Sequence, residues 1–408
     1  MYDAALNIAV IGAGPVGLAL ALHAARTLPQ SSVTLFDARP ADKDVSGDPR
    51  ALALSLGSVQ LLQRLGAWEP EHAQPILEVH VSQQAPSVGA LLGRWLGEPE
   101  VRIRAVDEAV PMLGAVLSYG HIVAPLQRAW MQAEAAEPRR LRGRFGTSVA
   151  GLKNLGTGVE VDAGIAERFD IAVVAEGGVF ADPARAHLGP PDRPNIRHDY
   201  GQTAWVGQVT FDDSAGPARP PGVAFERFTR HGPAALLPLR DGRAALVWCV
   251  PSHDDPVREL DDAQRVAVLN SIFHPAVGRI AGISPLKQFA LGLNAERSLT
   301  EGRTVRIGNA AQTLHPVAGQ GLNLGLRDAW DLVHTLSRSA DVDAGLRRLE
   351  WQRGPDRWAM IAATDFLARS FTWKLPGAGP ARGLGLAALQ ALGPVKSLLA
   401  RQMMYGSR

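Results

Sequence analysis

Cysteine is nearly absent from this sequence, which contains only Cys249 among its 408 residues. A single cysteine excludes an intrachain disulfide and any metal site built from several thiolates. Cys249 stands in the apolar run 244–250, so we expect a buried structural thiol rather than a nucleophile. No His, Cys and Asp residues cluster with metal-ligand spacing, and we expect no bound metal.

Long apolar runs and an excess of one charge are missing as well. No uninterrupted apolar stretch approaches the ~20 residues that are needed to cross a bilayer. A strand is predicted at Leu6–Ile11, and no basic segment typical of a signal peptide precedes it. Lys and Arg number 42 against 40 Asp and Glu, which gives no basic footprint for nucleic acid. We expect a cytoplasmic protein, with peripheral attachment to the inner face of the cell membrane as the alternative.

Glycine, in contrast, is abundant and forms two clusters with a chemical meaning. The first, at residues 12–17, lies between the predicted strand Leu6–Ile11 and a predicted helix. A second predicted strand, Val33–Phe36, is followed by Asp37. This order is the βαβ unit of dinucleotide-binding domains.

Each residue of this first motif has a physical role in binding a nucleotide. Gly12 permits the tight turn, Gly14 lets a pyrophosphate reach the backbone, and Gly17 lets the helix pack on the strand. Asp37 can accept hydrogen bonds from a ribose diol. The motif predicts nucleotide binding but does not distinguish NAD from FAD.

The second cluster, within residues 305–329, makes that distinction. A predicted strand runs into a glycine-rich loop and then a helix. Gly319 and Gly321 lack a Cβ, so their N–H groups can approach a ligand at the positive end of that helix. Asn309 can hydrogen-bond ribityl or pyrophosphate oxygens. An NAD dehydrogenase needs no second loop, whereas FAD extends away from the first one; we therefore predict FAD.

The order of predicted elements indicates more than one domain, as the length also does. Four predicted strands between residues 204 and 250 form an antiparallel meander with a turn at Asp241-Gly242, and residues 181–222, rich in Pro, Gly and Asp, mark a boundary. The predicted fold class is α/β: a Rossmann-like FAD-binding domain interrupted by a β-sheet substrate domain, with a C-terminal helical region. The predicted segments are 1–72, 106–180 and 292–345 for the FAD-binding domain, 73–105 and 181–291 for the β-rich substrate domain, and 346–408 for the C-terminal helices.

Several segments together resemble one family. The chain is similar to the flavoprotein aromatic hydroxylases (class A monooxygenases, the para-hydroxybenzoate hydroxylase superfamily) and, within them, to the ubiquinone-biosynthesis branch. The resemblance runs from residue 6 to residue 360, and its last segment is the most specific. The segments that carry it are 12–17, 50–54, 120–123, 225–233, 237–243, 246–248 and 308–325.

The resemblance assigns roles to individual residues. The FAD site that it implies consists of Gly12, Gly14, Gly17, Asp37, Arg50, Glu176, Gly308, Asn309, Gly319, Gly321 and Asn323. It also implies that the carbonyl of Pro316 faces the bound phenol, with loop shaping as the simpler role. His315 in the same loop is either a general base or a hydrogen-bonding structural group. Arg50 has the alternative of an ordinary exposed arginine.

Three residues depart from the superfamily pattern. Asn309 stands where Asp is usual and Gln312 where His is usual, and both variants resemble the branch that hydroxylates ring carbon C1. Glu176, in Glu176-Gly177-Gly178, replaces an Asp at a turn tied to flavin and nicotinamide binding. In the β-rich part, Arg227 and His231 are either a substrate-domain pair or part of a solvent-facing hairpin.

The implied reaction is hydroxylation of an electron-rich polyprenylated phenol, with 2-polyprenyl-6-methoxyphenol as the specific expectation. FAD is the cofactor, NAD(P)H the reductant and O₂ the oxygen source. Two alternatives stay open: a flavin-dependent dehydrogenase or reductase on the same scaffold, and a non-catalytic member of a ubiquinone-synthesis complex. Membership of such a complex is also compatible with a catalytically active enzyme.

The C-terminal tail predicts one further partner. Residues 366–408 contain no acidic residue and six basic ones: Arg369, Lys374, Arg382, Lys396, Arg401 and Arg408. Leucines recur between them at roughly helical spacing. A basic amphipathic helix can lie in the headgroup region of a membrane, which would suit a polyprenylated substrate. The alternative is a helix packed on the protein core or on a partner.

Overall fold

The computed structural model describes residues 5–84, 98–177, 195–212, 220–370 and 378–406. In chain order, its strands are β1 (Asn7–Ile11), β2 (Ser32–Asp37), β3 (Ala51–Ser55), β4 (Gln74–Ile76), β5 (Glu78–Gln83), β6 (Glu100–Arg104), β7 (Gly114–Ser118), β8 (Leu141–Phe145), β9 (Gly151–Asn154), β10 (Val159–Asp162), β11 (Ala166–Phe169), β12 (Ile171–Val174), β13 (Ile196–Phe211), β14 (Val223–Phe228), β15 (Pro233–Pro238), β16 (Ala244–Pro251), β17 (Ile280–Ile283), β18 (Lys287–Ala295), β19 (Thr300–Glu301), β20 (Thr304–Arg306) and β21 (Gln312–Thr313). Its helices are α1 (Pro15–Thr27), α2 (Leu56–Arg64), α3 (Tyr119–Ala136), α4 (Asp262–Ile272), α5 (Gly321–Ser337), α6 (Val342–Ser370), α7 (Ala378–Ala391) and α8 (Gly393–Tyr405). Gly178, Lys374, Arg408 and parts of the predicted boundary (181–194 and 213–219) lie outside the described residues.

A mostly parallel sheet positions the first glycine loop. Its strands lie in the order β19–β20–β12–β1–β2–β8, and the neighbours from β20 to β8 are parallel. Apolar side chains on one face pack against α1, α3 and α5, and those on the other pack against the small sheet β11–β10–β9. Because the carboxyl ends of parallel strands share an edge, Gly12, Asp37, Glu176 and Gly308 meet at one edge.

A larger sheet faces the second glycine loop. Its order is β21–β18–β13–β16–β15–β14–β5–β6, with β17 paired to β13. One face carries Trp205, Phe225 and Trp248, which pack with residues of α4. On the other face, Phe228 packs in one cluster with Val317. The loop between β21 and α5 therefore lies where the two sheets approach each other.

Local predictions within this sheet are confirmed where they rested on turn chemistry. Asp241 and Gly242 both have positive φ, 64° and 72°, between the antiparallel strands β15 and β16. Positive φ at both central positions is the type I′ geometry that matches strand twist, and a Gly accepts it without strain. The sequence also predicts a short helix over residues 56–66 with Ser55 as its N-cap, and this cap is present, since Ser55 Oγ accepts a hydrogen bond from the Ser58 N–H.

Two sheets continue past residues that were predicted as domain boundaries. The structure pairs β4 with β7 beside β3, so this three-stranded sheet continues to Ile76, past residue 72. Strand β18 stays in the large sheet through Ala295, past the predicted boundary at 292. Within the predicted boundary 181–222, residues 196–211 form the long strand β13. The α/β fold class with an inserted β-rich part and C-terminal helices is confirmed; the three-part domain division stays a prediction.

The C-terminal helices pack against the FAD-binding part. Ala400 and Met404 of α8 are buried in one cluster with Leu56 and Ile76, and Arg327 donates a hydrogen bond to the Met403 carbonyl at 2.6 Å. In the described residues, no single helix is long and apolar enough to span a membrane. Residues 381–391 and 393–405 reach that length and composition only together, and they are bent by 94°.

Candidate cofactor and substrate site

The first glycine loop is built so tightly that two of its positions exclude a side chain. Gly12 has φ +103°, and a Cβ there would lie 3.0 Å from the backbone N and Cα of Glu176. A Cβ on Gly17 would come within 1.9 Å of the Gly12 carbonyl oxygen. The chain can therefore turn from β1 into α1 beside Glu176 only with glycine at these positions.

Gly14 is the one glycine of this motif with open space in front of it. A Cβ there would meet nothing closer than the Tyr119 hydroxyl, at 3.8 Å. Gly14 is the N-cap of α1, and among the described residues no side chain caps this helix. First-turn N–H groups are thus available to an anion, which is how such loops bind a pyrophosphate.

Asp37 braces the first loop at the end of β2. One of its oxygens accepts a hydrogen bond from the Ala13 N–H, and the other accepts from the Arg39 N–H at 2.7 Å. A carboxylate offers about four acceptor positions, so further ones remain for the hydroxyls of a ribose. This placement is compatible with the predicted role of Asp37.

The second glycine segment packs directly on the first. Gly308 has φ +60°, and a Cβ there would lie 3.3 Å from Cγ2 of Val16. A Cβ on Gly325 would lie 2.8 Å from both that Cγ2 atom and the Gly308 Cα. Val16, in the first turn of α1, is thus enclosed by two glycines of the distant segment. Asn309 follows Gly308 and is exposed at the same sheet edge.

The N-terminus of α5 opens in the same way as that of α1. Gly321 is its first residue, and a Cβ there would have nothing within 4 Å. Within the described chain no side chain caps this helix either. Gly319 has φ +59° and packs beside Ala53 of β3. Two uncapped helix N-termini with glycines of open access therefore lie next to one another, each with a positive partial charge.

The side chain of Asn323 is fully used within the protein. Its Oδ1 accepts hydrogen bonds from the Ser55 N–H and the Ser58 hydroxyl, both at 2.8 Å. Its Nδ2 donates to the carbonyls of Ala53 and Gly319, both at 3.0 Å. The amide has no hydrogen-bonding capacity left for a ligand. The Asn323 side chain therefore ties β3 and α2 to the loop, and a cofactor contact through its backbone N–H, in the first turn of α5, stays a prediction.

Arg50 lies beside the first loop, at the start of β3. Its guanidinium stacks 4.3 Å from the centre of the Tyr119 ring, whose hydroxyl lies near Gly14. It also pairs with Asp48 at 2.7 Å, and this hydrogen bond contributes most to lowering the pKa of the Asp48 carboxyl. More than half of the Arg50 side chain is exposed. Arg50 is therefore held at the entrance of the cradle and remains accessible to a phosphate or nicotinamide group.

The loop before α5 holds its two predicted catalytic residues differently. Pro316 is exposed, and its carbonyl accepts a hydrogen bond from the Gly319 N–H at 3.0 Å. This bond gives Pro316 the loop-shaping role; contact with a phenol stays a prediction.

His315 is buried with protein partners on both ring nitrogens. The Val317 N–H donates to Nδ1, and Nε2 contacts Gln202 Oε1, each at 3.1 Å. Burial lowers the pKa of His315 to about 4, so the ring is neutral at pH 7. This geometry is that of a structural histidine and gives no support to the predicted general base.

Gln312, one of the departures from the family pattern, is explained by a buried polar network. Its Nε2 donates to Asp328 at 3.1 Å, and its Oε1 accepts from Arg357 at 2.6 Å. Asp328 in turn binds Arg353, which also pairs with Asp356 at 2.5 Å. An amide can donate and accept hydrogen bonds at once, so Gln312 links the carboxylate of Asp328 to the guanidinium of Arg357.

Residues of the large sheet were predicted less well. Cys249 is buried, as predicted, and burial raises the pKa of its thiol, with a smaller contribution from Glu226. Arg227 is also buried, on the face toward α4, where it donates to the Ile272 carbonyl at 2.7 Å. It therefore forms no pair with His231 in the site. Glu226 lies on the opposite face and was not predicted as a site residue, although strand alternation separates it from Arg227.

One group of potential metal ligands was also not expected. Among the described residues, ligand atoms of Glu69, Glu71 and His72 lie within 4.8 Å of one another. They belong to a short 3-10 turn, and Glu71 and His72 are exposed. Exposed carboxylates commonly cluster in this way without an ion, so the group carries no functional assignment.

The residues of the two loops fit FAD. Gly14 and Gly321 leave open the volume that a Cβ would occupy, and the helix ends behind them lack side-chain caps among the described residues. FAD would be held by the N–H groups of Gly14, Val16 and Gly17, by Asp37, and by the segment from Asn309 to Gly321. FAD is a single molecule long enough to need two such cradles.

Comparison with known proteins agrees with this geometry. The model of a family described as FAD binding domain matches residues 5–351. The chain is 29% identical to a protein of Rhodospirillum rubrum named ubiquinone hydroxylase UbiL, over 98% of this chain and 90% of the relative. It is 28% identical to the 3-demethoxyubiquinol 3-hydroxylase of Escherichia coli, over 97% of each. The solved structure of p-nitrophenol 4-monooxygenase PnpA from Pseudomonas putida aligns with this protein over 100% of both chains. The TM-score is 0.71 at 16% sequence identity, which shows a shared fold.

Proposed function

The chain belongs to the FAD-binding domain family, and on that premise we propose that it hydroxylates the ring of a polyprenylated phenol in ubiquinone biosynthesis. It is an FAD-dependent monooxygenase that uses NAD(P)H and O₂. The observation that carries the proposal is the contact of Val16 with Gly308 and Gly325, which brings the two glycine segments together. The names of the two bacterial relatives, both ubiquinone-pathway hydroxylases, support the substrate class.

In this reaction the protein binds FAD and the substrate, orients them, and excludes water from the site. FAD, when bound, supplies the reduction by NAD(P)H and the activation of O₂. The chain holds FAD with its backbone at the two loops. Phe228 packs with Val317 of the loop before α5, and Val206, Val247 and Leu291 lie on the same face of the large sheet as Phe228. Such a surface excludes water and suits an apolar prenyl phenol.

The finer proposal is that the substrate is 2-polyprenyl-6-methoxyphenol. It is supported by Asn309 and Gln312, which depart from the superfamily pattern in the same way as the branch that hydroxylates this compound. Gln312 is integrated into the network of Asp328 and Arg357, so its identity is built into the loop.

Complementation tests the proposal. The gene is introduced separately into bacterial strains that each lack one ubiquinone ring hydroxylase, and the quinones and accumulated precursors are identified by mass. Rescue of the strain blocked at 2-polyprenyl-6-methoxyphenol is expected. Rescue only at another ring position would overturn the substrate while keeping the reaction class. Product formation by the purified protein without O₂ would instead show a dehydrogenase.

We also propose that α7 and α8 rest on a membrane surface. Leu384, Leu392, Val395 and Leu398 are each exposed by 48% or more, and exposed apolar side chains on neighbouring helices mark contact surfaces. Lys396 and Arg401 add positive charge, although Arg401 is paired with Glu108 at 3.5 Å, and neither helix contains an acidic residue. Anionic headgroups would attract such a surface, and its leucines would enter the acyl boundary.

A further inference from the structure

Strand β14 places an acidic side chain on the face of the large sheet that looks toward the cofactor loop. Residues alternate along a strand, so Ala224, Glu226 and Phe228 share one face while Arg227 is on the other. Arg227 confirms the alternation, since it hydrogen-bonds Ile272 on the side of α4. In the sheet register, Glu226 lies opposite Ala235 on one side.

The two neighbours of Glu226 on its face locate the carboxyl group. Phe228 packs in one cluster with Val317, directly after Pro316. Ala224 belongs to the same cluster as Ala53, whose Cβ lies 3.6 Å from the Cβ position of Gly319. Glu226 lies between these two points of contact. Its carboxyl therefore faces the space between the large sheet and the loop at the N-terminus of α5.

That space offers the carboxyl no partner of the opposite charge. Within the described residues, Glu226 makes no hydrogen bond and no ion pair. The side chains beside it on β5, β15 and β16 are apolar (Val81, Ala235 and Val247), and Glu226 contributes to raising the pKa of the Cys249 thiol on the same face. His315, on the facing loop, is neutral. Burial alone raises the pKa of Glu226 to about 7.

An unpaired acid in apolar surroundings costs stability, so its presence calls for a use. The Glu226 side chain is partly exposed to solvent. The surrounding protein is nevertheless close enough that desolvation governs the ionisation of its carboxyl group. Both facts describe a group in the apolar space between the large sheet and the loop. A phenol brings one hydroxyl donor on an otherwise apolar ring, which is the complement of this surface.

We propose that Glu226 accepts the hydrogen bond of the substrate's ring hydroxyl and thereby orients the ring carbon to be hydroxylated toward the cofactor. This inference rests on the proposed function and names the residue that recognises its substrate. A carboxylate that accepts this bond also increases the electron density of the ring, which favours attack by an electrophilic oxygen. Apolar contacts along Val206, Val247 and Leu291 hold the rest of the molecule.

The test compares Glu226→Gln with Glu259→Gln, a change of an exposed carboxylate in the same part of the chain. The full FAD-loaded protein is titrated calorimetrically with 2-geranyl-6-methoxyphenol and with its O-methyl ether, which lacks the donor. Wild type and Glu259→Gln should prefer the phenol by about ten- to hundredfold, as a hydrogen bond to a charged group predicts. Glu226→Gln should lose most of this preference.

The pH dependence gives a second readout. In wild type, the preference for the phenol and the product formed per NAD(P)H should rise as pH increases through about 7, because the carboxylate is the better acceptor. Glu226→Gln should show neither rise. Equal preference and equal pH profiles in Glu226→Gln and wild type, with the phenol hydroxylated by both, would overturn the role of Glu226 alone. Failure of wild type to hydroxylate the phenol would overturn the proposed function, and this inference with it.

Discussion

The Cβ position of Gly325 lies 2.8 Å from Cγ2 of Val16, so α5 packs on the first turn of α1 with no side chain between them. The same position lies 2.8 Å from the Cα of Gly308. Contacts this short leave no room for a methyl group. This one junction joins the two glycine segments, which are about 300 residues apart along the chain.

Gly325→Ala should therefore destabilise the protein. Overpacking of this kind costs about 1–3 kcal/mol of unfolding free energy. Val16→Ala in the same molecule should restore part of the loss, because it removes one of the two atoms that the new methyl group meets. Urea denaturation of the two single variants and the double variant measures the coupling.

The control for this cycle is Gly385→Ala in α7, where a Cβ would meet nothing within 4 Å. Alanine is the better helix former by about 1 kcal/mol, so this variant should be at least as stable as wild type. Strictly additive effects of Gly325→Ala and Val16→Ala would show that the two residues do not pack against each other.

The buried network around Arg353 makes a second prediction. Arg353→Met leaves Asp328 and Asp356 buried without their shared cation. Breaking a buried ion pair from one side costs about 3–5 kcal/mol. Thermal unfolding should show this loss, whereas Arg348→Met at an exposed position of the same helix should change stability by less than about 0.5 kcal/mol. Equal melting temperatures of the two variants would contradict the network.

His315 predicts how stability responds to acid. Its pKa is about 4 in the folded protein and about 6.5 when unfolded, so the unfolded chain binds a proton first as pH falls. The stability that the neutral ring provides is complete above pH 6.5 and is lost between pH 6.5 and 4, by about 3 kcal/mol. His315→Gln should remove this part of the acid sensitivity in denaturation curves at several pH values.

The same variant tests the role of His315 in the reaction. Gln can keep the contact with Gln202, so hydroxylation should persist within about tenfold of wild type. A general base contributes about 10²–10⁴-fold. A loss of activity of that size in a variant that binds FAD normally would restore His315 as a catalytic residue.

Membrane attachment predicts a specific effect of the exposed leucines. The double change Leu392→Ser and Leu398→Ser removes apolar surface from α8 and its N-cap, and should lower binding to vesicles of mixed neutral and anionic lipids by at least about tenfold. Flotation of the vesicles measures it. Ile165→Ser, at a residue 72% exposed outside these helices, is the control and should bind as wild type. Equal flotation of all three proteins would refute the membrane surface.

The features that sequence predicted correctly are those encoded by neighbouring residues. The βαβ motif, the type I′ turn at Asp241-Gly242 and the N-cap at Ser55 each depend on a few consecutive positions. Their backbone conformations follow from local sterics and hydrogen bonds. The burial of Cys249 followed similarly from the apolar run around it.

Features that depend on partners distant in the chain could not be predicted from the sequence. Asn323 bonds Ser55, 268 residues away, and His315 contacts Gln202, 113 residues away. Motif spacing contains no information about such partners, so the saturation of the Asn323 amide within the protein could not be predicted. Glu226 was missed for the opposite reason: its significance lies in having no partner among the described residues, which only the packed sheet reveals.

The central claim is that both glycine loops hold the same FAD molecule, and titration of the apoprotein with FAD tests it most directly. Gly14→Ala and Gly321→Ala add methyl groups that the protein itself accommodates, so both variants should remain as stable as wild type. Wild type should bind one FAD per chain, and each variant should bind it at least about tenfold more weakly, because each methyl group would occupy space needed by the cofactor. Wild-type affinity in either variant would contradict the claim that its loop contacts FAD.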